Sequence, residues 1–302
     1  MGFELILSLT MFIIAVIALI YFRRKEEIEE REVEEKEEKK ENISRIPPLD
    51  ILEKDSELRG VLEEFHKGDK FLLPIGRSED HQLKVIDLND IHNLLVIGTT
   101  GGGKSVCLNA LLSSLAFHYT KEEVRVLAMD TSIVELGSFN KIPLYIKDTL
   151  CDPKMIIEEL KELQKESARR IKSENNPNLI VIIDDLYDVN EISSDALGII
   201  EGLLKESREA NIHYLIATDT PVKEILTKKV REQMLGVFYM TLSPGEEKMF
   251  PFEADLTEEE LNYITTIGKA IFQTTEGNLK IVIPDVKDSE IKKIKDWFIL
   301  NR

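Results

Sequence analysis

The stretch from Leu94 to Ser105 reads Leu-Leu-Val-Ile-Gly-Thr-Thr-Gly-Gly-Gly-Lys-Ser, and it constrains the chain more than any other segment. An apolar run enters a glycine-rich turn, and residues 106–117 beyond it suit a helix. Gly98, Gly103, Lys104 and Ser105 meet the spacing G-x-x-x-x-G-K-[ST], with the strand before it and the helix after it that the motif requires. The glycines let the backbone curl so that successive N–H groups point inward at phosphate oxygens, and the helix start adds its positive dipole end. On this reading Gly98, Thr99, Thr100, Gly101, Gly102, Gly103, Lys104, Ser105 and Val106 line the phosphates of a nucleotide. Lys104 reaches the β and γ phosphates, and the Ser105 hydroxyl ligates magnesium. A glycine-rich turn that binds nothing is the alternative, disfavoured because strand, loop and helix come in the right order.

Beyond this helix the chain alternates apolar strands with amphipathic helices. Strands are expected at 124–129, 179–183, 214–217 and 236–242, and helices at 154–171, 195–210 and 222–234. The helix at 154–171 carries its stripe on Ile156, Leu160, Leu163 and Ile171. Such alternation predicts an α/β fold: a parallel sheet with helices on both faces and the site at the carboxyl strand ends. Residues 71–75 and 83–88 read as two short strands leading into the loop at the domain edge. The strand at 179–183 ends in Asp184-Asp185, where Asp184 is the candidate magnesium-holding carboxylate. Asp130 and Asp219 end two further strands, so a parallel sheet gathers all these carboxylates around the phosphate site.

Residues 5–22 are almost wholly apolar, broken only by Ser8 and Thr10, which is enough to cross a bilayer as a helix. Arg23, Arg24 and Lys25 follow at once, so the positive-inside rule puts the rest of the chain in the cytoplasm. A cleaved signal peptide would carry its cations before the apolar stretch. Residues 26–41 are nearly all Glu, Lys and Arg, with too few apolar positions for a coiled-coil seam, and Pro47-Pro48 breaks any helix there. The expected parts are a transmembrane anchor at 1–24, a charged stalk or linker at 25–48 and a P-loop domain at 49–302. The location is the cell membrane, crossed once. A net charge of -17 excludes a generally basic nucleic-acid coat, so any contact with nucleic acid is local. Cys107 and Cys151 lack metal-ligand spacing, and His66, His81, His92, His118 and His213 are scattered as structural or solvated residues.

Over residues 71–284 the chain resembles the FtsK/SpoIIIE-type DNA translocases and the related coupling ATPases of conjugation and secretion, the FtsK-HerA group. The resemblance rests on Leu72-Leu73-Pro74-Ile75-Gly76, on Asn93 through Ser105, and on the Asp130 strand followed by Glu135-Leu136 and Ile142-Pro143. It also rests on Ala210-Asn211-Ile212-His213-Tyr214-Leu215-Ile216-Ala217-Thr218, with Thr218-Asp219-Thr220-Pro221 where the family has a Thr-Gln-Arg-Pro turn. The resemblance implies a RecA-like P-loop NTPase domain, here FtsK-like, that hydrolyses ATP with Mg2+. It further implies a membrane-anchored homo-oligomeric ring, hexameric in the family, that moves double-stranded DNA or a protein and works with conjugation or secretion partners. Lys104, Asp184, Asp185 and Asp219 would be its catalytic set.

Several positions depart from the family pattern. Asp185 stands where a water-polarising glutamate is usual, one methylene shorter, and Asp219 stands in place of a glutamine whose amide can donate. The strand around Val237 to Met240 lacks the usual arginine, and neither Arg231 nor Lys248 nearby is assigned that role. These departures keep a second expectation open: a degenerate nucleotide-binding subunit that assembles or recruits partners at the membrane without efficient turnover. After the core come residues 280–283, Pro284 and a helix expected at 290–300, where families of this kind that read DNA orientation carry a winged helix, so loading directed by such a module is not expected; Lys292, Lys293 and Lys295 could touch phosphate but read rather as a solvated face.

Overall fold

The apolar run before the glycine-rich turn forms β3 (Leu94–Ile97), buried at every position in the middle of a nine-stranded sheet in the computed structural model. The structure describes residues 24–25, 46–68, 70–131, 136–173, 175–192, 195–219, 224–242 and 256–301. The chain divides into the units Met1–Arg45 and Ile46–Arg302. In the first, Arg24 and Lys25 are helical, and the expected anchor at 5–22 and charged run at 26–41 lie outside the described residues. Among the described residues no helix is long and apolar enough to cross a membrane.

The remaining strands are β1 (Leu72–Arg77), β2 (Leu83–Asp87), β4 (Val124–Asp130), β5 (Asn178–Asp184), β6 (Ile212–Thr218), β7 (Gly236–Tyr239), β8 (Lys269–Thr274) and β9 (Gly277–Val282). Their order is β2-β1-β9-β8-β7-β3-β6-β5-β4. From β7 through β4 all pairings are parallel, as the alternation of strand and helix predicts. The expectation of a wholly parallel sheet is corrected: β8, β9, β1 and β2 extend it with antiparallel pairings, so the sheet is mixed. Chain length supplies the reason. Only Thr275 and Glu276 separate β8 from β9, and residues 78–82 separate β1 from β2. A parallel crossover needs a dozen or more residues, so both pairs must be hairpins. Gly76 at φ 128 lets β1 approach β9, since a side chain there would strike the Val282 carbonyl.

Among the described residues the helices longer than four residues are α1 (Glu57–Glu64), α2 (Lys104–His118), α3 (Pro153–Ile171), α4 (Leu186–Ile192), α5 (Ala196–Ala210), α6 (Lys228–Glu232), α7 (Glu258–Tyr263) and α8 (Asp288–Leu300). Period-two alternation in the parallel strands builds two cores. Leu94, Val96, Val126, Ile180, Leu215 and Phe238 face one side, with α2 and α8. Leu95, Ile97, Leu127, Val181, Ile216 and Tyr239 face the other, with α3 and α5. The helix expected over 222–234 is shorter than its pattern. It starts only after Thr227, whose hydroxyl accepts from Val230 N at 3.3 Å and fixes the N-cap.

Two buried polar devices hold β3 in place. Asn93 accepts from Tyr214 N at 2.9 Å and donates to Ser207 Oγ and Gln233 O, both at 3.1 Å, tying the strand to α5 and to the turn before β7. His213 lies in the same region, with Nδ1 3.1 Å from His92 O and Nε2 3.3 Å from Asn178 Oδ1. Burial holds both imidazoles far below their ordinary value of 6.5, His92 at about 4 and His213 at about 3. They are structural, as their scatter along the sequence suggests.

Candidate functional site

Ile97, the last residue of β3, is in register with Thr218 of β6 on one side and Tyr239 of β7 on the other. Strands β6, β5 and β4 lie to one side of β3 and β7 to the other, so the chain order reverses here and a crevice opens at the carboxyl ends. The loop from Gly98 to Gly103 leaves β3 into this crevice and enters α2.

The loop is braced by backbone bonds. Gly98 N donates to Thr218 O at 3.4 Å, Thr99 N to Thr241 O at 2.9 Å, and Gly102 N to Thr99 O at 2.8 Å. Thr241 N returns a bond to Gly102 O at 3.2 Å, and the Thr99 hydroxyl adds another to Thr241 O at 3.2 Å. Gly101 and Gly103 take φ values of 73 and 99, a left-handed backbone that glycine reaches without a Cβ penalty. Lys104 Nζ donates to the carbonyls of Gly98 at 3.1 Å and Thr99 at 3.3 Å, which keeps its cation within the loop. The first intrahelical bond of α2 runs from Cys107 N to Gly103 O at 3.1 Å. Amides from Lys104 to Val106 therefore have no intrahelical carbonyl and form the positive end of the helix.

The carboxylates converge as the parallel register requires. Asp184 ends β5 and is 7% exposed, in register with fully buried Asp130 of β4. Asp130 Oδ2 accepts from Leu136 N at 3.3 Å, so it also shapes the segment after β4. Asp219 follows β6, and its Oδ2 accepts from the Thr100 hydroxyl at 2.5 Å, which joins that carboxylate directly to the loop. Asp185 has φ 61, sparsely populated for a residue with a side chain. Its Oδ1 accepts from Tyr187 N at 3.1 Å and Asp188 N at 3.5 Å, opening α4. Burial first, then the negative charges of Asp219 and Asp188, push the Asp185 carboxyl above the ordinary carboxylate range.

These residues fit a magnesium nucleotide. A methyl group added at Gly102 would clash at 2.7 Å with Thr241 O and at 2.8 Å with Thr99 Oγ1, so the loop closes this tightly only with glycine there. Ser105 and Asp184 offer hard oxygen donors of the kind magnesium takes. Among the described residues no group of three or more His, Cys, Asp or Glu side chains could hold a metal ion. A cation here would therefore complete its shell with phosphate oxygens and water.

Sequence reasoning missed Thr241 and Asp188. Thr241 acts through its backbone, which leaves no side-chain pattern to read, while Asp188 accepts from the Thr131 hydroxyl at 3.0 Å and adds charge near Asp185. Arg231 lies in α6, whose Val230 is buried in the core that also holds α5. Glu135, Thr220, Pro221 and Lys248 lie outside the described residues. Cys107 is buried beside the loop, and burial pushes its thiol far up, away from reactivity.

The FtsK/SpoIIIE family model matches residues 62–175. The DNA translocase SpoIIIE of Bacillus subtilis is 27% identical over 260 residues, covering 76% of this chain and 32% of that protein. The DNA translocase FtsK of Leptospira interrogans is 29% identical over 271 residues, covering 81% of this chain and 28% of that protein. The chain thus spans under a third of the length of these two relatives. Among solved structures, the pCW3 conjugation coupling protein TcpA with ATPγS superposes with a TM-score of 0.63 at 18% identity, covering 86% of this chain and 76% of that one. ATPases 2 and 3 of Thermomonospora curvata EccC, in complex with a signal sequence peptide, superpose with a TM-score of 0.59 at 17% identity, covering 74% and 42%. At such identities the likeness is one of fold.

Proposed function

We propose that this chain, which carries an FtsK/SpoIIIE-family domain, is a membrane-anchored ATPase motor that couples nucleotide hydrolysis to the movement of DNA. In this reading residues 1–24 anchor it, 25–48 form a charged stalk or linker, and 49–302 form the motor, facing the cytoplasm. It assembles as a ring, hexameric if it follows the family, and conjugation or secretion machinery supplies its partners. The observation that carries the reading is the braced loop at the switch point, with Lys104 inside it and Asp184 and Asp219 at the neighbouring strand ends.

Each residue then has a task. Lys104 would exchange the Gly98 and Thr99 carbonyls for phosphate oxygens, and the amides up to Val106 would hold the remaining phosphate charge. Ser105 and Asp184 would hold magnesium, which when bound neutralises charge on the transferring phosphoryl group. Asp185, when ionised, would orient the attacking water. Its raised pKa means that this role is lost on acidification sooner than for an ordinary carboxylate.

A second reading has a specific observation behind it. Asp185 already caps α4 through two amides, and Asp219 already accepts from Thr100, so both family-divergent carboxylates have structural work. In that reading the chain binds ATP to assemble or recruit partners and turns it over poorly. Calorimetric titration of the full chain with Mg-ATP tests the shared premise: Lys104→Ala abolishes binding, and wild-type affinity in that variant refutes it. Asp185→Asn separates the two, since a motor loses its turnover and an assembly subunit has little to lose.

A further inference from the structure

Large apolar side chains left in solvent are few among the described residues of the second unit, and one of them, Ile267, stands beside the phosphate loop at 61% exposure. A side-chain carbon built on Gly103 would lie 3.5 Å from Ile267 Cγ2 and 3.6 Å from Gly268 N, with Met240 Cε at 3.2 Å. The turn between α7 and β8 therefore reaches the start of α2.

This turn is firmly held. Tyr263 and Ile264 are buried at its start. Thr265 donates from its hydroxyl to Asn262 O at 2.8 Å, Lys269 N donates to Thr266 O at 3.1 Å, and Gly268 O accepts from Ile283 N at 2.8 Å. The Lys269 ammonium sits 4.7 Å from the Tyr263 ring centroid, in cation–π contact with that ring. Ile267 is thus presented on an ordered turn, and its exposure is not a consequence of looseness.

Strand order decides what such a shelf serves. Asp184, Asp185 and Asp219 lie on the β6 and β5 side of β3, which marks where the terminal phosphate belongs. A nucleotide lying along the loop must send its other end the opposite way, over β7 and β8. Thr241, which follows β7 and is bonded to Thr99 and Gly102, and the turn before β8 border that exit. The ligand portion arriving there is the base and ribose, whose flat and largely apolar faces suit an aliphatic side chain.

From this placement we infer that the turn at 264–268 is the nucleoside shelf of the site, with Ile267 packing against the base and ribose of the nucleotide whose phosphates the loop holds. The inference rests on the nucleotide reading above and adds the contact that separates a nucleotide from a bare polyphosphate. Ile267 is solvent-facing, so its replacement leaves the core intact.

The test compares Mg-ATP with inorganic tripolyphosphate by calorimetric titration of the full chain. Ile267→Ser weakens ATP about tenfold (~1.4 kcal/mol) and leaves tripolyphosphate unchanged, while Ile267→Leu restores ATP binding. Unchanged ATP affinity in Ile267→Ser overturns the inference. If self-association falls at the same time, the isoleucine instead serves a contact between copies. Equal weakening of both ligands also overturns it, because the residue would then act through the phosphate loop. A wild-type chain that binds neither ligand overturns the nucleotide reading itself, an outcome visible before any variant is compared.

Discussion

Replacing Gly102 by alanine probes how tightly the candidate phosphate cradle is built. The new methyl would sit 2.7 Å from Thr241 O, 2.8 Å from Thr99 Oγ1 and 2.9 Å from Thr99 O. Ordinary contact begins at 3.4 Å, so the loop and the end of β7 must part by about 0.7 Å, the difference between 3.4 and 2.7. Two of the three obstacles are backbone carbonyls. Thr241 O is itself held by Thr99 N at 2.9 Å and Thr99 Oγ1 at 3.2 Å, so it yields only if those bonds stretch. Overpacking of this kind, with the stretching of those bonds included, costs about 1–3 kcal/mol. A loss near 2 kcal/mol corresponds to a fall in Tm of about 4–8 °C for a domain of this size. The functional effect is larger, because a displacement of about 1 Å in a positioning group costs on the order of a hundredfold. Thermal unfolding, ATP titration and steady-state ATP hydrolysis of Gly102→Ala together read the effects on stability, binding and rate. Gly101→Ala is the control, with nothing within 4 Å of the added methyl and only the strain of φ 73 to bear. If Gly102→Ala melts and binds ATP like wild type, the cradle is not braced as described.

Three further outcomes are expected. Asp219→Asn removes the second cause of the raised Asp185 pKa while keeping an oxygen for Thr100, so the acid limb of ATP turnover moves to lower pH; an unmoved limb contradicts the coupling. His92 and His213 are held neutral with pKa values of about 4 and about 3, so the unfolded chain binds more protons below its ordinary value of 6.5. Stability therefore falls as pH drops from 6.5 toward 4, and a urea midpoint at pH 5 equal to or above that at pH 7 refutes this. Asn93→Ala leaves the buried Tyr214 N without its acceptor and costs about 2–3 kcal/mol, seen as a lower denaturation midpoint; an unchanged midpoint refutes the bracing of β3.

The parallel half of the sheet was legible because its strands are buried on both faces and read as apolar runs, with helical stripes between them. The antiparallel half was harder to read. β8 carries Lys269, Gln273 and Thr274 around only three buried positions, so its pattern is weak, although the two residues before Gly277 already forbid a crossover. The glycine-rich loop was legible as a candidate phosphate site because the proposed chemistry resides in residue types: glycine for conformation, lysine for charge, serine for a hydroxyl. The position of Asp184 at the end of β5 was legible from the apolar run before it. Thr241, Met240 and Ile267 were not, since they meet the loop through backbone atoms or through an approach between segments far apart in sequence. The capping role of Asp185 was hidden because α4 is short and its start is marked by a left-handed residue other than glycine.

The most direct test of a DNA motor is steady-state ATP hydrolysis by the full chain with and without double-stranded DNA, at low salt because phosphate contacts weaken with ionic strength. A motor predicts turnover that rises on addition of DNA, is absent in Lys104→Ala, and is lost in Asp185→Asn. Tight ATP binding with no turnover, whether or not DNA is present, would contradict the motor and leave the nucleotide-gated assembly subunit in its place.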